Sequence, residues 1–170
     1  TKQATAAGME RVGRDGRVYG LDVQAAAIAS ARALLADAGL EQQAVLVKCS
    51  HHEMERTLPA EVRGGVRAVM FNLGYLPGSD KRVITRSDST LPALEQSLAL
   101  LAPGGRVSVL AYTGHAGGRE ETDAVKRWAH RLDKALWEVA VEVSGQPGSL
   151  RTHTQSPTQG ISWGNGWRCR

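Results

Sequence analysis

Five short stretches of this chain are apolar without a helical period, and the segments between them repeat their apolar residues every three or four positions. The five are Arg17–Asp22, Gln43–Cys49, Val66–Phe71 (broken only by Arg67), Arg106–Tyr112 and Trp137–Val143, and each reads as a strand. The segment Gln24–Ala38 predicts a helix with Ile28, Ala31, Leu34 and Leu35 as its apolar stripe and Gly39 as its stop. Leu91–Leu101 predicts another, with Ser89 or Thr90 as cap, Pro92 in the first turn and Leu94, Leu98 and Leu101 inward. Arg119–Leu136 predicts a third, with Val125, Trp128 and Leu132 on one face and Glu120 and Glu121 matching the helix dipole. Thr1 to Val12 reads as the end of a further helix, stopped by Gly13-Arg14-Asp15-Gly16. Alternation of helix and strand predicts an α/β fold with a doubly wound, mostly parallel sheet, in a single domain over residues 1–170. The pattern stops at Ser144: glycines and prolines predict an irregular tail over 144–170, with Ile161–Trp163 or Trp167–Cys169 as a last short strand.

A chain of 170 residues suits one domain with a full core, and with a single Phe, Phe71, aliphatic side chains must supply most of it. The net charge of +4 is mildly basic and compatible with a polyanionic partner. Cys49 and Cys169 form no Cys-x-x-Cys pair, no run approaches a membrane span, and no signal-peptide pattern is present. These features predict a cytoplasmic protein with free thiols and no membrane partner.

The candidate chemistry lies where predicted strands end, because ligands of open α/β sheets bind beyond the carboxyl ends of strands. The stretch Val69-Met70-Phe71-Asn72-Leu73-Gly74-Tyr75-Leu76-Pro77-Gly78-Ser79-Asp80-Lys81 starts as a strand covered on both faces and becomes a glycine-broken loop. Asn72 there has two readings: it caps the turn, or its side-chain oxygen accepts a hydrogen bond from an amino group and aims the nitrogen lone pair. Tyr75 packs over the strand ends or stacks on a planar ring. Enzymes that methylate amino groups on bases carry a similar Asn/Asp-Pro-Pro-Tyr/Phe loop, with Leu73-Gly74 here in place of the prolines. Asp22 closes a strand, as ribose-binding carboxylates do, and it equally suits the N-terminus of the next helix. Ser50-His51-His52-Glu53 has the spacing of a capping box, which the sequence favours over a metal site, and His51 follows a strand end. Lys81, Arg82 and Arg86 form a basic loop that reads as a phosphate contact or as a solvated surface. His115, among the glycines of Thr113–Gly118, orients a substrate or is a surface histidine.

Taken together, Val18–Gln24, Phe71–Gly78, Asp80-Lys81, the turn at Pro103, and Tyr112–His115 with Gly118 and Glu121 resemble a class I S-adenosylmethionine-dependent methyltransferase. More narrowly they resemble the MnmM (YtqB-like) family of tRNA wobble-uridine methyltransferases, long described as rRNA methylases, over about Gly8 to Val143. The resemblance implies methyl transfer from S-adenosylmethionine to the exocyclic amine of a 5-aminomethyl-type uridine in tRNA. It implies Asp22 on the cofactor ribose, with Gln24, Ser50 and His51 near ribose and adenine. It implies Asn72 at the cofactor as well, Asn72 and Tyr75 positioning the amine and the base, and Lys81, Arg82, Arg86 and His115 contacting RNA. The family opens with a strand and a glycine-rich loop before its first helix, whereas this chain begins at what reads as that helix. An N-terminally incomplete sheet is therefore expected, with the family's second and fourth strands lacking the neighbour between them. The alternatives are an rRNA methyltransferase, a non-catalytic RNA-binding remnant of the fold, and an NAD-dependent oxidoreductase, for which no Gly-x-Gly-x-x-Gly is present. Methyltransferases of this size often dimerise, so a homodimer is a possible assembly.

Overall fold

A computed structural model describes residues 12, 13, 15–74, 84–143 and 149–155. The predicted first helix lies outside them except for Val12. Strand β1 is Val18–Asp22, helix α1 Ala25–Asp37 and strand β2 Ala44–Lys48. A single helical turn, α2, covers Met54–Thr57, and strand β3 follows at Val66–Leu73. Helix α3 is Ser87–Leu100, strand β4 Leu101–Tyr112 and helix α4 Gly118–Arg131. Strands β5 (Glu138–Val143) and β6 (Ser149–Gln155) complete the described chain.

The strands form two sheets. β1 pairs in parallel with β2, and the other four lie in the order β3-β4-β6-β5. β3 and β4 are parallel, and β6 runs antiparallel to both its neighbours. Among the described residues β1 has no partner but β2, and β3 none but β4.

The core lies on one face of the four-stranded sheet. Phe71 and Leu73 of β3 and Val107, Val109 and Ala111 of β4 point into it, against Ala93 and Leu94 of α3 and Val125, Trp128 and Ala129 of α4. Alternation sends Ala68, Met70 and Asn72 to the opposite face, and Met70 is 50% exposed. β3 is thus covered on one face among the described residues, not on both as its apolar run predicted. Burial on the core face alone is enough to fix its register.

Several elements start or stop away from their predicted positions. In α1 the buried set is Ala27, Ile28, Ala31 and Leu35, with Leu34 turned outward. Helix α3 begins a turn before the predicted start, with Arg86 at its N-cap position, so neither Ser89 nor Thr90 is the cap. Their hydroxyls are engaged elsewhere: Ser89 Oγ donates back to the Arg86 carbonyl at 3.1 Å, and Thr90 Oγ1 donates to Glu121 at 2.6 Å. Helix α4 ends at Arg131 instead of Leu136, because Asp133 opens a turn of its own, its Oδ1 accepting from Ala135 N–H at 2.8 Å. The Pro103-Gly104-Gly105 turn is absorbed as an irregularity within β4, where Val66 faces Leu101 but Ala68 faces Arg106. A Cβ on Gly105 would lie 2.8 Å from the Ala102 carbonyl and 2.9 Å from that of Val66, so this close approach requires glycine.

The largest difference lies in the expected tail. Ser149–Gln155 is a strand inserted between β4 and β5, with Val109 opposite Thr152 and Ala140 opposite His153. Its sequence, Ser-Leu-Arg-Thr-His-Thr-Gln, has one large apolar residue. Backbone pairing on both edges holds it, a signal that hydrophobic periodicity does not carry. The two alternative last strands lie outside the described residues.

Candidate functional site

Four strand ends and two helix starts supply the candidate residues. At the end of β1 the Asp22 carboxylate accepts a hydrogen bond from Gln24 N–H at 2.9 Å. This bond turns the chain sharply into α1 and holds the carboxylate at the strand's carboxyl end. At the end of β2, Ser50 and Glu53 form the predicted capping box, with Ser50 N–H donating to Glu53 Oε2 at 3.3 Å. Ser50 Oγ also pairs with His52 Nδ1 at 2.8 Å. Gln96 of α3 clamps the turn, donating from Nε2 to the His52 carbonyl at 2.7 Å and accepting from Glu55 N–H at 3.0 Å.

This clamp sets His51 inward. Its ring stands edge-on to Phe71, with centroids 6.0 Å apart. Burial, and then the neighbouring His52, push its pKa below the ordinary 6.5, while the Ser89 backbone and the Asp22 carboxylate pull it upward. The lowering wins, so the imidazole is neutral near pH 7. Its Nε2 is buried with no hydrogen-bond partner. A neutral imidazole nitrogen in that state is costly unless a ligand satisfies it.

The end of β3 is built differently. Asn72 is exposed, and its side chain leaves the sheet on the face opposite Phe71. Two residues on, Gly74 adopts φ +133° and donates its N–H to Thr85 Oγ1 at 2.7 Å, while Thr85 N–H returns a bond to the Gly74 carbonyl at 3.1 Å. Thr85 Oγ1 in turn donates to Glu121 Oε2 at 2.7 Å, and Thr90 Oγ1 donates to Glu121 Oε1 at 2.6 Å. Glu121 is 2% exposed.

The end of β4 closes the rim. His115 lies over Gly74, since a Cβ placed there would be 3.5 Å from His115 Nε2 and from the Tyr112 ring. Gly118 makes room for the turn. A Cβ there would meet the Tyr112 carbonyl at 2.5 Å and the His115 ring at 3.0 Å.

The structure thus brings Asp22, Gln24, Ser50 and His51 to one part of the rim, and Asn72, Arg86 and His115 to ends of the β3–β4 half. Tyr75, Lys81 and Arg82 lie outside the described residues. Sequence reasoning missed the roles of Thr85, Thr90 and Glu121, whose hydrogen bonds span 31 and 36 residues. The one local signal was Glu121 in the first turn of a helix, which dipole complementarity already explained.

Parallel strands with the candidate residues at their carboxyl edge, and a reversed strand beside β4, define a Rossmann-like fold of the methyltransferase kind. The profile of the family described as putative rRNA methylases matches residues 18–147, and the chain belongs to that family. It is 43% identical over 131 residues to the chloroplastic tRNA (mnm(5)s(2)U34)-methyltransferase of Arabidopsis thaliana, a match covering 75% of this chain. The chain spans about half, 47%, of that relative's length. Among solved structures it is similar to a putative rRNA methylase of Clostridium thermocellum, at 32% identity and a TM-score of 0.83, covering 90% of this chain and 82% of that one. A putative methyltransferase of Streptococcus mutans, solved in complex with SAH, is 29% identical with a TM-score of 0.72, covering 82% and 76%. Among the described residues no helix is long and apolar enough to cross a membrane.

Proposed function

We propose that this protein is an S-adenosylmethionine-dependent RNA methyltransferase acting on the 5-aminomethyl group of a tRNA wobble uridine. The observation that carries the cofactor part is His51. A neutral, half-buried imidazole with a buried, unsatisfied Nε2 stands next to the Asp22 carboxylate at adjoining strand ends. Adenosine needs those two groups: a hydrogen-bond partner for the base and a carboxylate for the ribose diol. Gln24 and Ser50 shape the turns that present them. These residues fit the adenosine half of the cofactor. The SAH complex of the Streptococcus mutans relative supports the same cofactor, and the activity named for the Arabidopsis relative supports the substrate.

S-adenosylmethionine, when bound, supplies an electrophilic methyl group, so the chain need provide no covalent nucleophile. Asn72 is the group to accept a hydrogen bond from the substrate amine and direct its lone pair. Tyr75 would stack on the base, and Lys81, Arg82, Arg86 and His115 would meet phosphate and sugar. The neutral amine is the reactive form, and desolvation beside the cofactor would favour it.

The test is calorimetric titration of S-adenosylmethionine into this chain and into Asp22→Ala, followed by transfer of labelled methyl to undermodified tRNA and to ribosomal RNA. Binding that the substitution weakens about tenfold or more, with label in tRNA, supports the reading. Label in ribosomal RNA alone overturns the substrate. Absence of cofactor binding both by the folded chain and by a chain extended at its N-terminus overturns the enzyme reading in favour of a non-catalytic RNA-binding protein.

A further inference from the structure

We infer that Glu121 is a positioning residue for the rim that carries Asn72, acting through the Thr85 hydroxyl; the inference rests on the methyltransferase reading for its kinetic consequences. Gly74 N–H donates to Thr85 Oγ1, so the hydroxyl hydrogen of Thr85 is free to point at Glu121, 2.7 Å away. The Thr90 hydroxyl points at the other carboxylate oxygen, at 2.6 Å. Each oxygen of one buried side chain therefore accepts from a different residue ahead of or within α3, and one of those residues holds the β3 end.

The geometry is more specific than the fold requires. Helices α3 and α4 are already joined by apolar packing of Leu94, Val125 and Trp128, and by Trp128 Nε1–H donating to Glu95 at 2.7 Å. A carboxylate 2% exposed adds a desolvation cost that an apolar residue at the same place would avoid. What the carboxylate adds beyond its bond to Thr90 is to fix the Thr85 hydroxyl, and with it the Gly74 amide two residues from Asn72. Gly74 is held at φ +133° with bonds at both its N–H and its carbonyl. Chain direction at the end of β3 is thereby set by a residue of α4, and the Asn72 side chain inherits that direction. Precise placement of such a group matters to rate far more than to stability.

Thr85→Val tests this, because it keeps the shape and deletes the hydroxyl, and Thr85→Ser restores the hydroxyl. Two measurements are made on each. The first is hydrogen exchange of the Gly74 amide by NMR, with the Val107 and Leu94 amides as core controls. The second is the kinetics of methyl transfer with the cofactor affinity measured separately. We expect Gly74 exchange to quicken about tenfold or more in Thr85→Val, with the core amides unchanged, and Thr85→Ser to return it to the wild-type rate. In the same variant kcat should fall about tenfold or more while cofactor affinity stays within about twofold. Glu121→Gln should lie between, since one amide oxygen still serves Thr85.

Unchanged Gly74 exchange in Thr85→Val would overturn the inference whatever the activity. So would an unchanged kcat, or a fall in kcat matched by equal losses in cofactor affinity and melting temperature, which is the signature of a merely structural role. If the wild-type chain binds cofactor but methylates no RNA, the proposed substrate fails, and the exchange measurement decides the inference by itself.

Discussion

The imidazole of His51 stands edge-on to the ring of Phe71, the planes at 80°. His51 follows β2 and Phe71 lies in β3, strands of different sheets, so this contact helps join the two halves of the rim. It also buries a titratable group, which makes stability depend on pH. Burial lowers the His51 pKa below 6.5 in the folded protein, so the unfolded chain takes up the proton first as pH falls. The stabilisation is complete above the unfolded value and is lost as pH drops through the window below 6.5. His52 and Asp22 face the same ring and act in opposite senses. We expect the melting temperature to fall between pH 7.5 and 5.5, about the range in which histidine titrates. His51→Gln should flatten that slope, and an identical slope in the variant would show that other groups control it.

Gly118 is the tightest point of the rim. A methyl there would overlap the Tyr112 carbonyl at 2.5 Å, and the nearest flexible group, the His115 ring at 3.0 Å, cannot relieve a backbone clash. Gly118→Ala should destabilise the protein by about 1–3 kcal/mol, and should displace His115. Thermal melting and the His115 imidazole NMR signals check the two effects, and a wild-type melting temperature would refute them.

The sequence disclosed the strands that bury one face and the carboxylate and histidine that end them, because these leave local marks. Asp22 closes an apolar run, and Ser50 to Glu53 has capping spacing. The Ser149–Gln155 strand left none, since its place in the sheet depends on backbone bonds to β4 and β5 and its side chains are mostly polar. Met70 misled in the opposite sense. An unbroken apolar run suggested burial on both faces, yet alternation leaves Met70 half exposed. The Glu121 network was illegible for a third reason. It joins three segments distant in sequence through hydroxyls whose spacing has no period.

Trp128 and Glu95 link α4 to α3 by a hydrogen bond of 2.7 Å, inside a contact that is mainly apolar. The two contributions separate by substitution. Trp128→Phe deletes the donor and leaves an exposed Glu95 to be solvated, so it should cost about 0.5–1.5 kcal/mol plus a small packing loss. Trp128→Ala deletes a side chain that is 2% exposed and should cost about 3–5 kcal/mol. Urea titration of both variants measures the difference. Equal losses would mean that the hydrogen bond, not the packing, holds the helices together.

Asn72 offers a sharper division between binding and chemistry. It is exposed at the end of β3, on the face opposite Phe71, so its side chain contributes nothing to the core. Asn72→Ala should therefore leave the melting temperature within about 2 °C of wild type. The side-chain oxygen, if it aims the substrate amine, acts where the N–C bond forms, and its loss should lower kcat and kcat/KM together. A fall of about 100-fold corresponds to roughly 2.7 kcal/mol of lost transition-state stabilisation. Asn72→Asp keeps an acceptor but adds a charge that favours the protonated, unreactive amine. Its kcat should therefore be low near neutral pH and rise with pH over a higher range than that of wild type. Cofactor affinity should fall much less than kcat in both variants, because Asp22 and His51, which fit the adenosine half, lie at other strand ends. A rise in KM for RNA at constant kcat would instead assign Asn72 to substrate binding alone, and would move the lone-pair-directing role to another residue of the rim.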